Sequence, residues 1–268
     1  MEDPLAELGS RIMVLAKGDA GTAKSVTLAS WKPPVYVLDI DDRYEAIASY
    51  YQDRPDILKN IEYDMFYTEP WKSLQKKLDE LLQYQHFNSI IVDGLTLFCE
   101  KVVGDSLDSR KSRRGNLGAN INEIVLPEWE DWHAEDRAVK KLMYTLKKLH
   151  ALGANVFLTS HILAEESSRS RRLSTGARKA ALFIPGLFNN IWHFEKEEIG
   201  NDDDNEETRY LIATNRGGLD PAKSTLPIPK YMDVTNQARS GEPSAYEQYA
   251  SYIKKWYRRR KLQAKGTK

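Results

Sequence analysis

The stretch Gly18-Asp-Ala-Gly-Thr-Ala-Lys24-Ser25 decides how the rest of this 268-residue chain is read. Before it comes an apolar run, Arg11-Ile-Met-Val-Leu-Ala-Lys17, of the kind that forms a buried strand. After it, Lys24 to Trp31 reads as a short helix stopped by Pro33-Pro34. A strand that turns through glycines into a helix directs backbone N–H groups at one point, and that geometry binds phosphate. The pattern G-x-x-x-x-G-K-[ST] describes such a loop, with the lysine on the β- and γ-phosphates and the hydroxyl on Mg²⁺. Here Ala23 stands where the second glycine is expected. Gly18 and Gly21 still supply unusual backbone angles, and an alanine fits if its own conformation is helical. The competing reading is a glycine-containing turn with an incidental Lys-Ser. On the phosphate reading, Gly18, Asp19, Ala20, Gly21, Thr22, Ala23, Lys24, Ser25 and Val26 form the nucleotide cradle.

Outward from the loop, Val35-Tyr-Val-Leu-Asp-Ile40 reads as a second strand, with Asp39 and Asp41 alternating onto one side at its end. Asp41, further out, is the candidate base that orients an attacking water; a solvated strand end is the alternative. An apolar segment at Tyr63–Tyr67 precedes a helix from about Pro70 to Gln85, whose Leu74, Leu78, Leu81 and Leu82 share one face. Ser89-Ile-Ile-Val-Asp93 is a strand ending in a carboxylate, and Asp93 is expected to hold Mg²⁺ opposite Ser25. A long helix, Glu128 to Leu152, carries Val139, Leu142, Met143, Leu146 and Leu149. Asn155–Ser160 is again a strand, closed by His161, a candidate γ-phosphate sensor or a plain surface histidine. Strands that alternate with helices and are apolar on both faces imply a parallel sheet covered on both sides. Asn190–Glu195 and Thr208–Thr214 then read as an antiparallel hairpin at the sheet edge.

Lysine plus arginine number 39 and aspartate plus glutamate 39, so bulk charge argues against a nucleic-acid partner. The distribution reverses that inference. Residues 101–120, with Arg110, Lys111, Arg113 and Arg114, read as a mobile basic loop after the Asp93 strand. Residues 161–180, with Arg169, Arg171, Arg172, Arg178 and Lys179, read as a second after the His161 strand. Both leave the same sheet edge, so these cations are candidate phosphate contacts for single-stranded DNA, with solvated disorder as the alternative. The tail from Lys254 holds eight basic residues and no acid, interleaved with Trp256 and Tyr257. It fits either stacking on nucleic acid or packing on the core. Glu195 to Glu207 holds eight acids and one lysine and reads as an exposed turn. Trp129 and Trp132 read as helix-face packing residues. The single cysteine, Cys99, excludes a disulfide framework and fits a reducing compartment. The five histidines lack paired zinc-ligand spacing. Mean hydropathy is −0.58 and no run approaches the roughly 18 to 20 apolar residues of a membrane span, so a soluble cytoplasmic protein with no membrane partner is expected.

Taken in order, Gly18–Ser25, Val37–Asp41, Ile90–Gly94, Val156–His161 and the late hairpin followed by Asp220-Pro-Ala-Lys-Ser224 resemble the RecA-type P-loop ATPases. More narrowly, residues 9–232 resemble phage RecA-like single-strand annealing proteins. The resemblance implies an α/β fold: a mostly parallel RecA-like P-loop NTPase sheet flanked by helices, with a C-terminal antiparallel hairpin. It implies an ATPase core over residues 1–235 and a basic helical tail over 236–268. It further implies ATP and Mg²⁺ as cofactors, Asp41 as the catalytic carboxylate and His161 as a sensor leading into a DNA-binding loop. Lys223 becomes a basic finger for the neighbouring subunit's γ-phosphate, so that hydrolysis requires a ring or filament. The implied activity is ATP-dependent binding of single-stranded DNA that promotes annealing or strand pairing in phage-type recombination, with a phage replication or recombination protein as a further partner. A helicase loader or ring motor, and a non-hydrolysing nucleotide-dependent scaffold, are the alternatives. Ala23, and aspartate rather than glutamate at position 41, depart from the family pattern and point to slow turnover.

Overall fold

A computed structural model describes residues 11–84, 86–114, 127–165, 170–175, 178–199, 207–217 and 221–266. The strands are β1 (Met13–Gly18), β2 (Val35–Asp39), β3 (Ile61–Met65), β4 (Ser89–Asp93), β5 (Asn155–Ser160), β6 (Ile162–Glu165), β7 (Ser170–Leu173), β8 (Asn190–Ile199), β9 (Glu207–Ala213) and β10 (Tyr231–Asp233). The helices are α1 (Lys24–Ala29), α2 (Tyr44–Tyr50), α3 (Pro55–Leu58), α4 (Trp71–Gln83), α5 (Leu95–Arg114), α6 (Trp129–Ala151), α7 (Arg178–Phe183) and α8 (Ala245–Gly266). Eight strands form one sheet in the order β10-β9-β8-β1-β5-β4-β2-β3. From β8 to β3 the neighbours are parallel, while β8, β9 and β10 pair antiparallel. This is the mostly parallel α/β sheet with a C-terminal antiparallel hairpin expected from the sequence.

Every residue of β1, β2, β4 and β5 is buried, because helices cover both faces of the sheet. Alternate residues feed two core layers. Leu15, Leu38, Val92 and Leu158 pack with Leu74, Leu78 and Leu81 of α4, Phe98 of α5, and Leu142 and Leu146 of α6. Val14, Val37, Ile91 and Phe157 pack on the other face with Trp31, Ile47 of α2, and Tyr249 and Ile253 of α8. Trp31 anchors this second layer, its ring 5.0 Å from Phe157, 5.4 Å from Trp192 and 5.2 Å from Tyr249.

Three readings change, and a fourth that was left open is resolved. Residues 101–114 are the continuation of α5 and not a loop; Leu95, Phe98, Cys99 and Val102 form its buried stripe, and the basic residues occupy its last turns. Within residues 161–180, β6 and β7 pair as an antiparallel hairpin and α7 begins at Arg178, so this stretch too is largely built structure. Residues 115–120, 166–169 and 176–177 lie outside the described residues. Trp129 is 75% exposed at the start of α6, edge-on to His133, and does not pack on the core. The tail folds as α8, which buries Ala245, Tyr249 and Ile253 and leaves Lys254 to Lys261 largely at the surface. Among the described residues, no helix is long and apolar enough to cross a membrane.

Candidate nucleotide-binding site

β1 delivers the chain to Gly18, where β8 closes in: a Cβ on that residue would lie 2.5 Å from the Phe194 carbonyl oxygen, so only glycine fits. The loop then rises to α1. Ala23 adopts φ 61°, ψ 23°, the left-handed region, which corrects the expectation of a helical alanine. For a residue with a Cβ this costs about 1 to 2 kcal/mol. The conformation is held by its consequences: the Ala23 carbonyl accepts the Thr27 N–H at 3.0 Å and so opens α1. Lys24 folds back over the loop. Its Nζ donates to the Gly18 carbonyl at 3.0 Å, the Asp19 carbonyl at 2.7 Å and Thr22 Oγ1 at 3.4 Å. Burial pulls this ammonium down from 10.5 to about 8, opposed by Asp93, Asp19 and Asp41.

Asp93 closes β4 with its carboxylate fully buried. Oδ1 accepts the Thr159 hydroxyl at 2.6 Å, and that hydroxyl in turn accepts the Gly94 N–H at 2.8 Å. Burial raises the Asp93 pKa, with the adjacent Ser25 and Thr159 hydroxyls opposing. Oδ2 is buried without a hydrogen-bond partner. A buried, unsatisfied carboxylate oxygen beside a serine hydroxyl is costly alone and fits a hard, oxygen-seeking cation such as Mg²⁺. No group of three or more His, Cys, Asp or Glu side chains suited to a metal occurs among the described residues. A magnesium ion here would be held by Ser25 and Asp93, with phosphate and water completing its shell.

The two acids after Leu38 separate in role. Asp39 turns away and caps α2, accepting the Arg43 N–H at 3.0 and 2.9 Å and the Tyr44 N–H at 2.9 Å. Asp41 faces the cleft; its Oδ1 is buried and unpartnered, and its Oδ2 lies 3.7 Å from His161 Nε2. Gly94 lies against this carboxyl, and a side chain at position 94 would collide with it. His161 donates its N–H to Thr96 Oγ1 at 3.4 Å, and its carbonyl accepts the Ser174 N–H at 2.9 Å. It therefore sits at the junction of the cleft and the β6–β7 hairpin.

These residues line one cleft of about 250 Å³. Gly21 to Val26 of the expected cradle line it, together with Asp41, Asp93 and His161. Gly18 and Asp19 act from behind through their carbonyls on Lys24, and Ala20 stands exposed beside them. Arg43, Tyr50, Thr159 and Tyr210 also line it. Arg43 follows Asp41 by two residues and was within reach of a reading of that strand end; Tyr210 arrives from β9, and nothing local marks it. Lys223 stands apart from its own cleft. It is exposed and bridges Ile191 by backbone hydrogen bonds of 2.7 and 2.9 Å, and Ile191 is level with Leu15 in β1. That is three residues short of Gly18, or about 10 Å along the strand. Arg110, Lys111, Arg113 and Arg114 lie on the last turns of α5, Arg171 and Arg172 on β7, and Arg178 and Lys179 at the start of α7. Arg169 lies outside the described residues. Both α5 and the β6–β7 hairpin leave the strand ends that form the cleft.

No family model matches the chain, and no curated protein matches it. Among solved structures it is similar to a KaiC-like protein of the hyperthermophilic archaeon Pyrococcus horikoshii, at 10% identity over 75% of this chain and 77% of that one, with a TM-score of 0.42. A likeness at that level transfers no chemistry.

Proposed function

We propose that this chain binds ATP with Mg²⁺ and, in that state, assembles on single-stranded DNA to promote annealing or strand pairing. One observation carries the nucleotide reading: four parallel strand ends bring Lys24 and Ser25, Asp41, Asp93 with Thr159, and His161 into a single cleft at a helix N-terminus. Lys24 exchanges its loop carbonyls for phosphate oxygens. Ser25 and Asp93 would hold Mg²⁺, which when bound would neutralise phosphate charge. Asp41 has an oxygen free to accept a proton from water, while its other oxygen faces His161. His161 ties that pair to the β6–β7 hairpin, which carries Arg171 and Arg172. The cations of the β6–β7 hairpin, which leaves the cleft at His161, support a DNA partner. Lys223, exposed and distant from its own cleft, is suited to act on a neighbour.

The test is fluorescence anisotropy with labelled single-stranded oligonucleotide at low salt, with and without ATP–Mg²⁺. Wild type is expected to tighten by about tenfold or more on adding ATP, about 1.4 kcal/mol, and Lys24→Ala not to respond. Wild-type binding that ignores ATP would overturn the reading. Strained Ala23 favours the scaffold alternative, and phosphate release by Ala23→Gly decides between them. A marked gain in turnover identifies a slowed ATPase; nucleotide binding without hydrolysis in both forms identifies a scaffold.

A further inference from the structure

The C-terminal helix uses one side for the core and offers the other to solvent. Ala245, Tyr249 and Ile253 are buried, and Tyr252 and Tyr257 pack partly against the same layer. Beyond them Lys254, Lys255, Arg258, Arg259, Arg260 and Lys261 are all exposed, with no acid among them. A second cleft, of about 540 Å³, opens beneath this half of α8. Its walls include Trp256 and Tyr257 of α8, Lys147 and His150 of α6, and Leu226 with Pro227. The Trp256 ring is edge-on to Tyr257 at 5.1 Å, and the Arg260 guanidinium lies 4.7 Å from the Trp256 ring centre. The indole therefore already stacks a flat, delocalised group at the mouth of the cleft.

We propose that α8 and this cleft form a second site for single-stranded nucleic acid, separate from the ATP cleft and independent of nucleotide. Arg11 and Met13, at the start of β1, border it, whereas the phosphate loop begins at the other end of that strand, about 20 Å away. One bound nucleotide cannot fill both. A row of cations tracks a phosphate backbone, and an aromatic wall stacks bases without reading their sequence. A membrane surface fits less well, because the apolar stripe that would enter the bilayer is already buried against Trp31 and Phe157. The proposal goes beyond the reading of the ATP cleft, and its test omits nucleotide.

The experiment titrates the full chain into fluorescein-labelled oligothymidylate without ATP, across a salt series. Arg258→Gln/Arg259→Gln/Lys261→Gln, all exposed positions, is expected to flatten the plot of log K against log salt by about two, from three lost contacts at about 0.7 each. Trp256→Leu is expected to weaken oligothymidylate by about fivefold or more, and to leave an abasic oligomer nearly unaffected. Coincident thermal unfolding establishes that each variant is folded; the triple variant carries the test alone if Trp256→Leu is not. This titration contains no nucleotide, whereas the ATP reading is tested by the increment on adding ATP–Mg²⁺, so failure of the one and failure of the other are distinguishable. Unchanged affinity and slope in the triple variant would overturn the proposal. So would a triple variant that loses anionic vesicles or an acidic polypeptide while keeping oligothymidylate.

Discussion

Lys24 is drawn in two directions. Burial disfavours its charge while loop carbonyls and nearby carboxylates hold it, and the balance falls at about 8. In the unfolded chain it titrates near the model value of 10.5. Between those values the unfolded chain carries the extra proton, so this group's contribution makes the fold more stable as pH rises across that window. On the proposed reading, phosphate binding follows the opposite slope. A phosphate restores the lysine's charge, so above about pH 8 the neutral form must take up a proton to bind. Nucleotide affinity is expected to fall by up to about tenfold per pH unit there, as measured by calorimetry, and Lys24→Gln to flatten the profile. A wild-type affinity that stays level from neutral pH to well above 8 would remove Lys24 from the phosphate site. At the same scale, sequence marks position 23 as unusual but does not reveal its left-handed backbone. That angle belongs to the turn that opens α1, where the Ala23 carbonyl accepts the Thr27 N–H.

At the scale of elements, strong period-three-and-four stripes were legible: Leu74, Leu78 and Leu81 in α4, and Val139, Leu142, Met143, Leu146 and Leu149 in α6, are all buried as expected. The buried stripe of α5 was hidden because charged and small residues dilute it, and a basic run near its end resembles a loop. Solvent accepts charge on the outer face of a helix as readily as in a loop. The α2 helix was hidden for another reason: its first N–H groups, of Arg43 and Tyr44, are satisfied by the carboxylate of Asp39 in the preceding strand and not by a local N-cap side chain. For α8 the sequence left two fates open; the structure shows the packing one, with Tyr249 and Ile253 in the core and the cations exposed on the other side. Its packed side makes a stability prediction. Ile253→Ala should cost about 2 to 5 kcal/mol in urea unfolding, because Ile253 belongs to the layer around Trp31. A loss within about 0.5 kcal/mol, the range of an ordinary surface change, would show that α8 contributes little to the core.

At the scale of the whole molecule, strand order assembles the cleft. β5 lies between β1 and β4, so Thr159 stands beside Asp93 and lines one cleft with the Gly18–Ser25 loop. On the proposed reading the working unit is larger than one chain, since Lys223 lies back from its own cleft. Lys223→Ala and Lys24→Ala should then each lose DNA-stimulated hydrolysis, and a mixture of the two should regain part of it. In the mixture, an intact loop on one subunit meets an intact Lys223 on the next. A mixture as inactive as either variant would place Lys223 outside the reaction.

Sequence by itself determined the parallel α/β sheet, the strand–turn–helix over Gly18–Ser25 and the carboxylate at the end of β4, because these rest on local patterns: apolar runs, glycine placement and strand-end acids. Only the tertiary structure decided which of Asp39 and Asp41 faces the cleft, and that Asp41 meets His161. It also decided that Lys24 braces its own loop and that the basic tail borders a second cleft at the opposite ends of the strands. These depend on strand order and on contacts between residues far apart in the chain. No local periodicity encodes them, because each is the outcome of packing two faces of one sheet at once.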